Sequence, residues 1–241
     1  MNILLTNDDG YDSKGIHLLK DKLKKYGRVV IVAPKEPMSA KSCSITIGTG
    51  IKVEQVDGET FICEGTPADC VSFGINALNI DFDLVVSGCN NGFNVSYDTM
   101  YSGTVGAALE ALTYGKKSIA VSCPYGDGSN FAIVEKYFDE VFKHILDKDL
   151  LSNEFLLNIN FPYGDEVKDI RISTLYYKVS QYNYFFNKED DGYHAYRELK
   201  TDFSDDQNSD CYLINNGIVS ITPLNKSYFS NEIYERIKNL L

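Results

Sequence analysis

The sequence predicts an α/β fold with a Rossmann-like, mainly parallel sheet flanked by helices. Two observations carry that prediction. Over residues 1–160, apolar runs of strand length alternate with segments of helical period, the pattern of strand–helix–strand crossovers. The runs also close on Asn, Asp, Gly or Pro, which end strands and open turns.

Met1 to Thr6 is a short apolar run closed by Asn7-Asp8-Asp9-Gly10, a strand ending in a tight turn. Ile16, Leu19, Leu23 and Tyr26 then mark one face of a helix. Arg28 to Ala33 reads as the next strand, stopped by Pro34, and Pro37 to Cys43 as a loop. Residues 51–56 and 60–63 read as a hairpin around Asp57-Gly58. Thr66, Pro67 and Asp69 open a helix as N-cap, N1 and first-turn acid. Asp83 to Ser87 is a core strand, and residues 88–101 a polar loop. A helix follows from about Thr104 to Tyr114 and stops at Gly115. Lys117 to Ser122 is a strand, Asn130 to Asp147 a long amphipathic helix, and Phe155 to Phe161 a strand ending at Pro162.

From about residue 171 the character changes. Tyr176, Tyr177, Tyr182, Tyr184, Tyr193 and Tyr196 crowd together ahead of Asp202, Asp205, Asp206 and Asp210. The tail returns with a strand over residues 218–224 and an amphipathic helix to Leu241. The expected organisation is a single α/β domain over 1–241. Residues 1–170 form the core sheet with the site, 171–210 an aromatic and acidic arm outside the strand–helix pattern, and 211–241 the returning strand and C-terminal helix.

The 44% of hydrophobic residues is enough for a substantial core, while the net charge of −11 argues against nucleic acid and anionic membrane surfaces as partners. Cys43, Cys63, Cys70, Cys89, Cys123 and Cys211 form no CxxC pair and mostly sit in apolar runs, as small free hydrophobes do. No run approaches a membrane span, and Met1 leads straight into a strand. The expectation is a soluble, cytoplasmic protein.

Three strand-end loops are chemically loaded. The first holds Asp8 and Asp9, which serve equally as an Asx turn or as hard oxygen ligands for a divalent cation. Ligands in open α/β sheets sit at the carboxyl ends of strands, where this pair stands. The second loop holds Ser39. The third carries Asn90, Asn91 and Asn94 and leads into Ser102-Gly103-Thr104 at a helix start. A helix N-terminus offers unpaired N–H groups and a positive dipole end to phosphate. Ordinary capping accounts for the same three residues.

Taken together these blocks resemble the SurE family, the stationary-phase survival proteins that act as nucleoside monophosphate phosphatases. The matching residues are Asn7-Asp8-Asp9-Gly10, Ser39, Gly65 to Cys70, Ser87-Gly88-Cys89-Asn90 with Gly92 and Asn94, Tyr101 to Val105, and Val219 to Leu224. They keep family order and spacing over nearly the whole chain. The resemblance implies hydrolysis of nucleoside 5′-monophosphates, and also 3′-monophosphates, to nucleoside and phosphate. It implies one divalent cation, Mg²⁺ or Mn²⁺, held by Asp8, Asp9, Ser39 and Asn90. Asp8 and Asp9 are the expected catalytic residues, and Asn94, Ser102, Gly103 and Thr104 the phosphate cradle. It further implies a homodimer or homotetramer built through the arm. Asp210 fits an acidic position shortly before the last strand.

The sequence departs from the family pattern at two places. Ala40 follows Ser39 where glycine is usual, and Lys14 precedes Gly15 where proline is usual. Two rivals share parts of the motif. A phospho-receiver module also pairs acids after its first strand, but it needs an aspartate ending its third core strand, and here that strand ends Ser87-Gly88-Cys89-Asn90. A nucleotide-binding protein without catalysis would use the same ligands. His17, His144 and His194 fall in the first helix, the long helix and the tyrosine-rich segment, which makes them weak general-acid candidates.

Overall fold

The computed structural model describes residues 1–177, 182–199, 204–225 and 231–238. Its first elements are β1 (Asn2–Thr6), α1 (Lys14–Leu23), β2 (Arg28–Pro34), β3 (Val53–Asp57), β4 (Thr60–Cys63) and α2 (Pro67–Ala77). Then come β5 (Leu84–Asn91), α3 (Asp98–Tyr101), α4 (Gly103–Thr113), β6 (Lys117–Cys123) and, after a 3-10 turn at Ser129–Phe131, α5 (Ala132–Asp147). The chain ends with β7 (Phe155–Asn160), β8 (Asp169–Ile172), β9 (Tyr182–Glu189), β10 (Gly192–Leu199), α6 (Asp210–Asn215), β11 (Ile218–Asn225) and α7 (Asn231–Lys238).

The central sheet has nine strands in the order β3-β4-β2-β1-β5-β6-β7-β11-β8. From β4 to β7 every neighbouring pair is parallel. β3 pairs antiparallel with β4, and β11 antiparallel with β7, so both flanks of the sheet reverse. Such a sheet is buried on both faces, which is why its strands read as continuous apolar runs. On β1, Ile3 and Leu5 turn to one face, where Ile16 and Leu19 of α1 and Phe138 and Phe142 of α5 cover them. Leu4 turns to the other face, against Cys70 and Val71 of α2 and Ala107 of α4. The sheet therefore carries a separate hydrophobic core on each face, one under each helical layer.

Local signals behave as their chemistry dictates. Thr66 and Asp69 close a reciprocal capping box with Pro67 at N1. Ile16, Leu19 and Leu23 are fully buried, while Tyr26 lies past the end of α1 and packs edge-on against Phe142. The residue 51–56 strand starts later, at Val53, and carries a bulge between Gln55 and Asp57. All six cysteines are free thiols, and all but Cys43 are buried.

The polar segment 88–101 is not one loop. β5 runs on to Asn91 through a register shift between Ser87 and Asn90, with a cis Gly88–Cys89 peptide, and Asp98–Tyr101 forms a helical turn. Backbone pairing to β6 overrides the polar character of Asn90 and Asn91, which pair with Ser122 and Cys123. The tyrosine-rich segment contains an antiparallel hairpin, β9–β10, separate from the main sheet. Short β8, with little sequence signal, joins the sheet edge beside β11. Asp202 and the expected end of the last helix at 239–241 lie outside the described residues.

Candidate active site

The carboxyl ends of β1 and β5 lie side by side, with Thr6 opposite Ser87. That register places the turn after β1 against the extension of β5. Asn7 shapes the turn from within. Its side-chain amide donates to the Gly10 carbonyl at 2.8 Å and to the Ser13 hydroxyl at 2.7 Å. Asp8 is buried and its backbone carbonyl accepts the Met38 N–H at 2.7 Å, which ties the 37–43 loop to the turn. Asp9 accepts the Asn91 N–H at 3.2 Å.

Helix α4 begins against this acid pair. Ser102 is its N-cap, and its hydroxyl accepts the Val105 N–H at 3.1 Å. Thr104 donates its hydroxyl to the Asp8 carboxylate. A methyl group on Gly103 would lie 2.9 Å from the Asp8 Cβ and 3.0 Å from Oδ2, so only glycine admits this approach. The Ser102 and Thr104 hydroxyls are thus engaged within the protein.

Burial pushes the Asp8 carboxyl from 3.8 up to about 6; the Thr104 bond opposes the rise and the Asp9 charge adds to it. Burial also raises Asp9, against the pull of the Asn91 N–H. Among the described residues no ion pair with Lys, Arg or His engages either acid.

The other sequence-predicted residues are placed as follows. Ser39 stands exposed in a turn directly after Met38, on the loop bound to Asp8. Ala40 beside it takes a left-handed conformation, φ 58°, the conformation glycine adopts most readily. Asn90 sits at the end of β5, where its amide donates to the Gly92 carbonyl at 2.8 Å. Asn94 is buried deeper. Its amide donates to the Ser122 hydroxyl at 2.8 Å, and its carbonyl accepts Asn158 and Asn160 at 2.7 and 3.0 Å. Asp8, Asp9, Gly103 and Thr104 are therefore brought together directly, whereas Asn94 is turned into the scaffold.

Sequence reasoning missed part of that scaffold. Asn158 and Asn160 alternate on β7 and hold the 92–94 loop from below. Carboxamides at a buried strand end within an apolar run were their signal. Asp210 has a defined place: fully buried, it accepts the Ser96 N–H at 2.7 Å and the Tyr176 and Cys211 N–H groups at 3.0 and 2.8 Å. A separate cluster, Glu189, Asp191 and His194, gathers within 4.8 Å on the hairpin.

Comparison with known proteins agrees with the fold and identifies the family. The family model described as Survival protein SurE matches residues 3–182. A protein of Clostridium botulinum (strain 657 / Type Ba4) named 5′-nucleotidase SurE is 38% identical, with 100% of this chain and 99% of that protein covered. Its counterpart from Clostridium botulinum (strain Alaska E43 / Type E3), of the same name, is 36% identical over the same shares. The crystal structure of the SurE protein from Aquifex aeolicus superposes with a TM-score of 0.88 at 31% identity, covering 100% of this chain and 99% of that one. The chain belongs to the SurE family.

Proposed function

We propose that this chain is a divalent-metal-dependent 5′-nucleotidase that hydrolyses nucleoside monophosphates, 5′ and also 3′, to nucleoside and phosphate. The nucleotidase class rests on family membership and on full-length relatives that bear that name. The observation that carries the chemistry is the seating of the α4 N-terminus on the Asp8 carboxylate through Gly103. It joins an anion-binding helix end to a cation-binding acid pair, the two halves a phosphate monoester needs.

The residues fit a divalent cation. Asp8 and Asp9 are hard oxygen donors, held with raised pKa values and no cationic side-chain partner among the described residues. In our reading Ser39 and the Asn90 side-chain oxygen complete the donor set. Bound there, Mg²⁺ or Mn²⁺ supplies Lewis-acid neutralisation of phosphoryl charge and a more acidic water. The chain's own part is orientation and charge placement. The N-terminal end of α4 would present backbone N–H groups to phosphoryl oxygens at Gly103, while the Thr104 N–H acts on the Asp8 carboxylate and Ser102 caps Val105. Thr104 keeps the Asp8 carboxylate turned to the site. Asn94 supports the cradle from beneath, through Ser122, Asn158 and Asn160. Asp9 or Asp8 takes the proton of the attacking water as the bond to phosphorus forms. The P–O bond to the sugar breaks, and its oxygen takes a proton from solvent.

The hairpin β9–β10 exposes Phe185, Phe186, Tyr193 and Tyr196. Aromatic side chains are enriched at interfaces, which supports reading this arm as the element of a homodimer or homotetramer. Among the described residues no helix is long and apolar enough to cross a membrane.

Phosphate release from a panel of nucleoside 5′- and 3′-monophosphates, before and after chelation and after return of Mg²⁺ or Mn²⁺, tests the proposal. Metal-restored release is the expected result. Tight nucleotide binding with no release under any metal would instead make the chain a binding protein.

A further inference from the structure

The acid pair has two sides. On the Asp8 side stands α4. On the Asp9 side a pocket of ≈ 250 Å³ opens, lined by Asp9, Lys14, Asn91, Asp127, Gly128 and Phe131 among others. Small-molecule sites commonly span about 300–1,000 Å³. This pocket therefore suits a sugar phosphate rather than a whole nucleotide.

Lys14 is the cationic side chain in that lining, and its place is built. It is the first residue of α1. A methyl group on its neighbour Gly15 would lie 2.0 Å from the Cys89 carbonyl oxygen, so α1 begins in direct contact with β5 beside Asn90. A methyl group on Gly128 would lie 2.6 Å from Lys14 Nζ, so the ammonium packs against Gly128 in the pocket lining, where its charge also acts on the Asp127 carboxylate. Among the described residues Lys14 belongs to no ion pair. The other charges that line the pocket, Asp9 and Asp127, are both negative.

Resting on the nucleotidase reading, we propose that Lys14 is a specificity-determining residue. It receives a second phosphate on the sugar of the nucleotide while the first is cleaved. A lysine is a compact point charge well suited to phosphate. Without it, a substrate bearing the extra phosphate would enter a pocket whose charged lining is wholly acidic.

The test is Lys14→Pro. Ser13 already holds φ −65° and ψ 147°, the conformation favoured before proline, and N1 is where helices accept it. The readout is the ratio of kcat/KM for adenosine 3′,5′-bisphosphate to that for adenosine 5′-monophosphate, measured as phosphate release. The ratio should fall about three- to fivefold, through KM, as expected for loss of one exposed charge contact. Lys14→Arg should keep it. An unchanged ratio, or an equal fall on both substrates, overturns the assignment of Lys14 and leaves the nucleotidase reading standing. No release from either substrate by the wild-type protein removes that reading, and this one with it.

Discussion

Asp8 and Asp210 are both buried carboxylates that burial raises above the usual range, yet they stand in opposite situations. Around Asp210, three backbone N–H groups, from Ser96, Tyr176 and Cys211, occupy the two oxygens. The carboxylate links the 95–97 segment, the chain before the hairpin and the start of α6. Around Asp8 one hydroxyl, from Thr104, and a second negative charge, Asp9, are the neighbours that act on the carboxylate most directly. A buried acid that meets mostly N–H donors is a structural joint. A buried acid left beside another acid has unused oxygens and an unfavourable charge, and a cation relieves both.

The largest expected effect follows from breaking the Asp8 side. Asp8→Asn should reduce metal-dependent phosphate release about 100-fold or more, the scale of lost electrostatic catalysis. The same change should stabilise the metal-free protein. A carboxyl raised from 3.8 to about 6 binds its proton more tightly folded than unfolded. Its contribution is therefore fully present below pH 3.8 and is lost as pH rises through about 6. At pH 7 the ionised acid costs the metal-free fold about 3 kcal/mol. Thermal denaturation in chelator should show the mutant more stable at pH 7, with the difference vanishing near pH 4. A mutant less stable at pH 7 would mean that Asp8 is a joint like Asp210.

Asp210→Asn should have the opposite sign. The new amide cannot accept on both ends, so one of the N–H groups that Asp210 serves faces a donor. A loss of about 2 kcal/mol is expected, from an unsatisfied buried donor. Denaturant unfolding checks it, and equal stability of mutant and wild type would erase the distinction drawn between the two acids.

The smallest effect concerns the loop that closes over Asp8. Ala40 holds φ 58°, where an L-residue pays about 1–2 kcal/mol relative to glycine. Ala40→Gly should raise stability by about 0.5–1 kcal/mol, the gain in the left-handed turn less the greater freedom of the unfolded chain. A decrease on thermal unfolding would show that Ala40 makes contacts outweighing its backbone strain.

Much of the fold was legible because its signals are local. The capping box at Thr66, the apolar face of α1 and the stop at Gly115 act within a few residues of one another. β8, α6 and the extension of β5 to Asn91 were not, because each depends on a partner far along the chain: β11, Thr174 and β6 respectively. The same division runs through the site. Asp8 and Asp9 stand out on their own as adjacent acids after an apolar strand. The inward turn of Asn94 does not, because Ser122, Asn158 and Asn160 that hold it belong to β6 and β7.

By itself, then, the sequence determined the α/β class, the position of the acid pair at the end of the first strand and the family to which the chain belongs. Periodicity, capping and contiguous motifs are properties of neighbouring residues, and they survive without coordinates. Only the tertiary structure decided which donors remain open to a ligand. Hydrogen-bond capacity is spent between residues such as Thr104 and Asp8, 96 positions apart, and between Asp210 and Ser96, 114 apart. Such pairings are set by the packing of strands and helices against one another, and no local pattern in the chain encodes them.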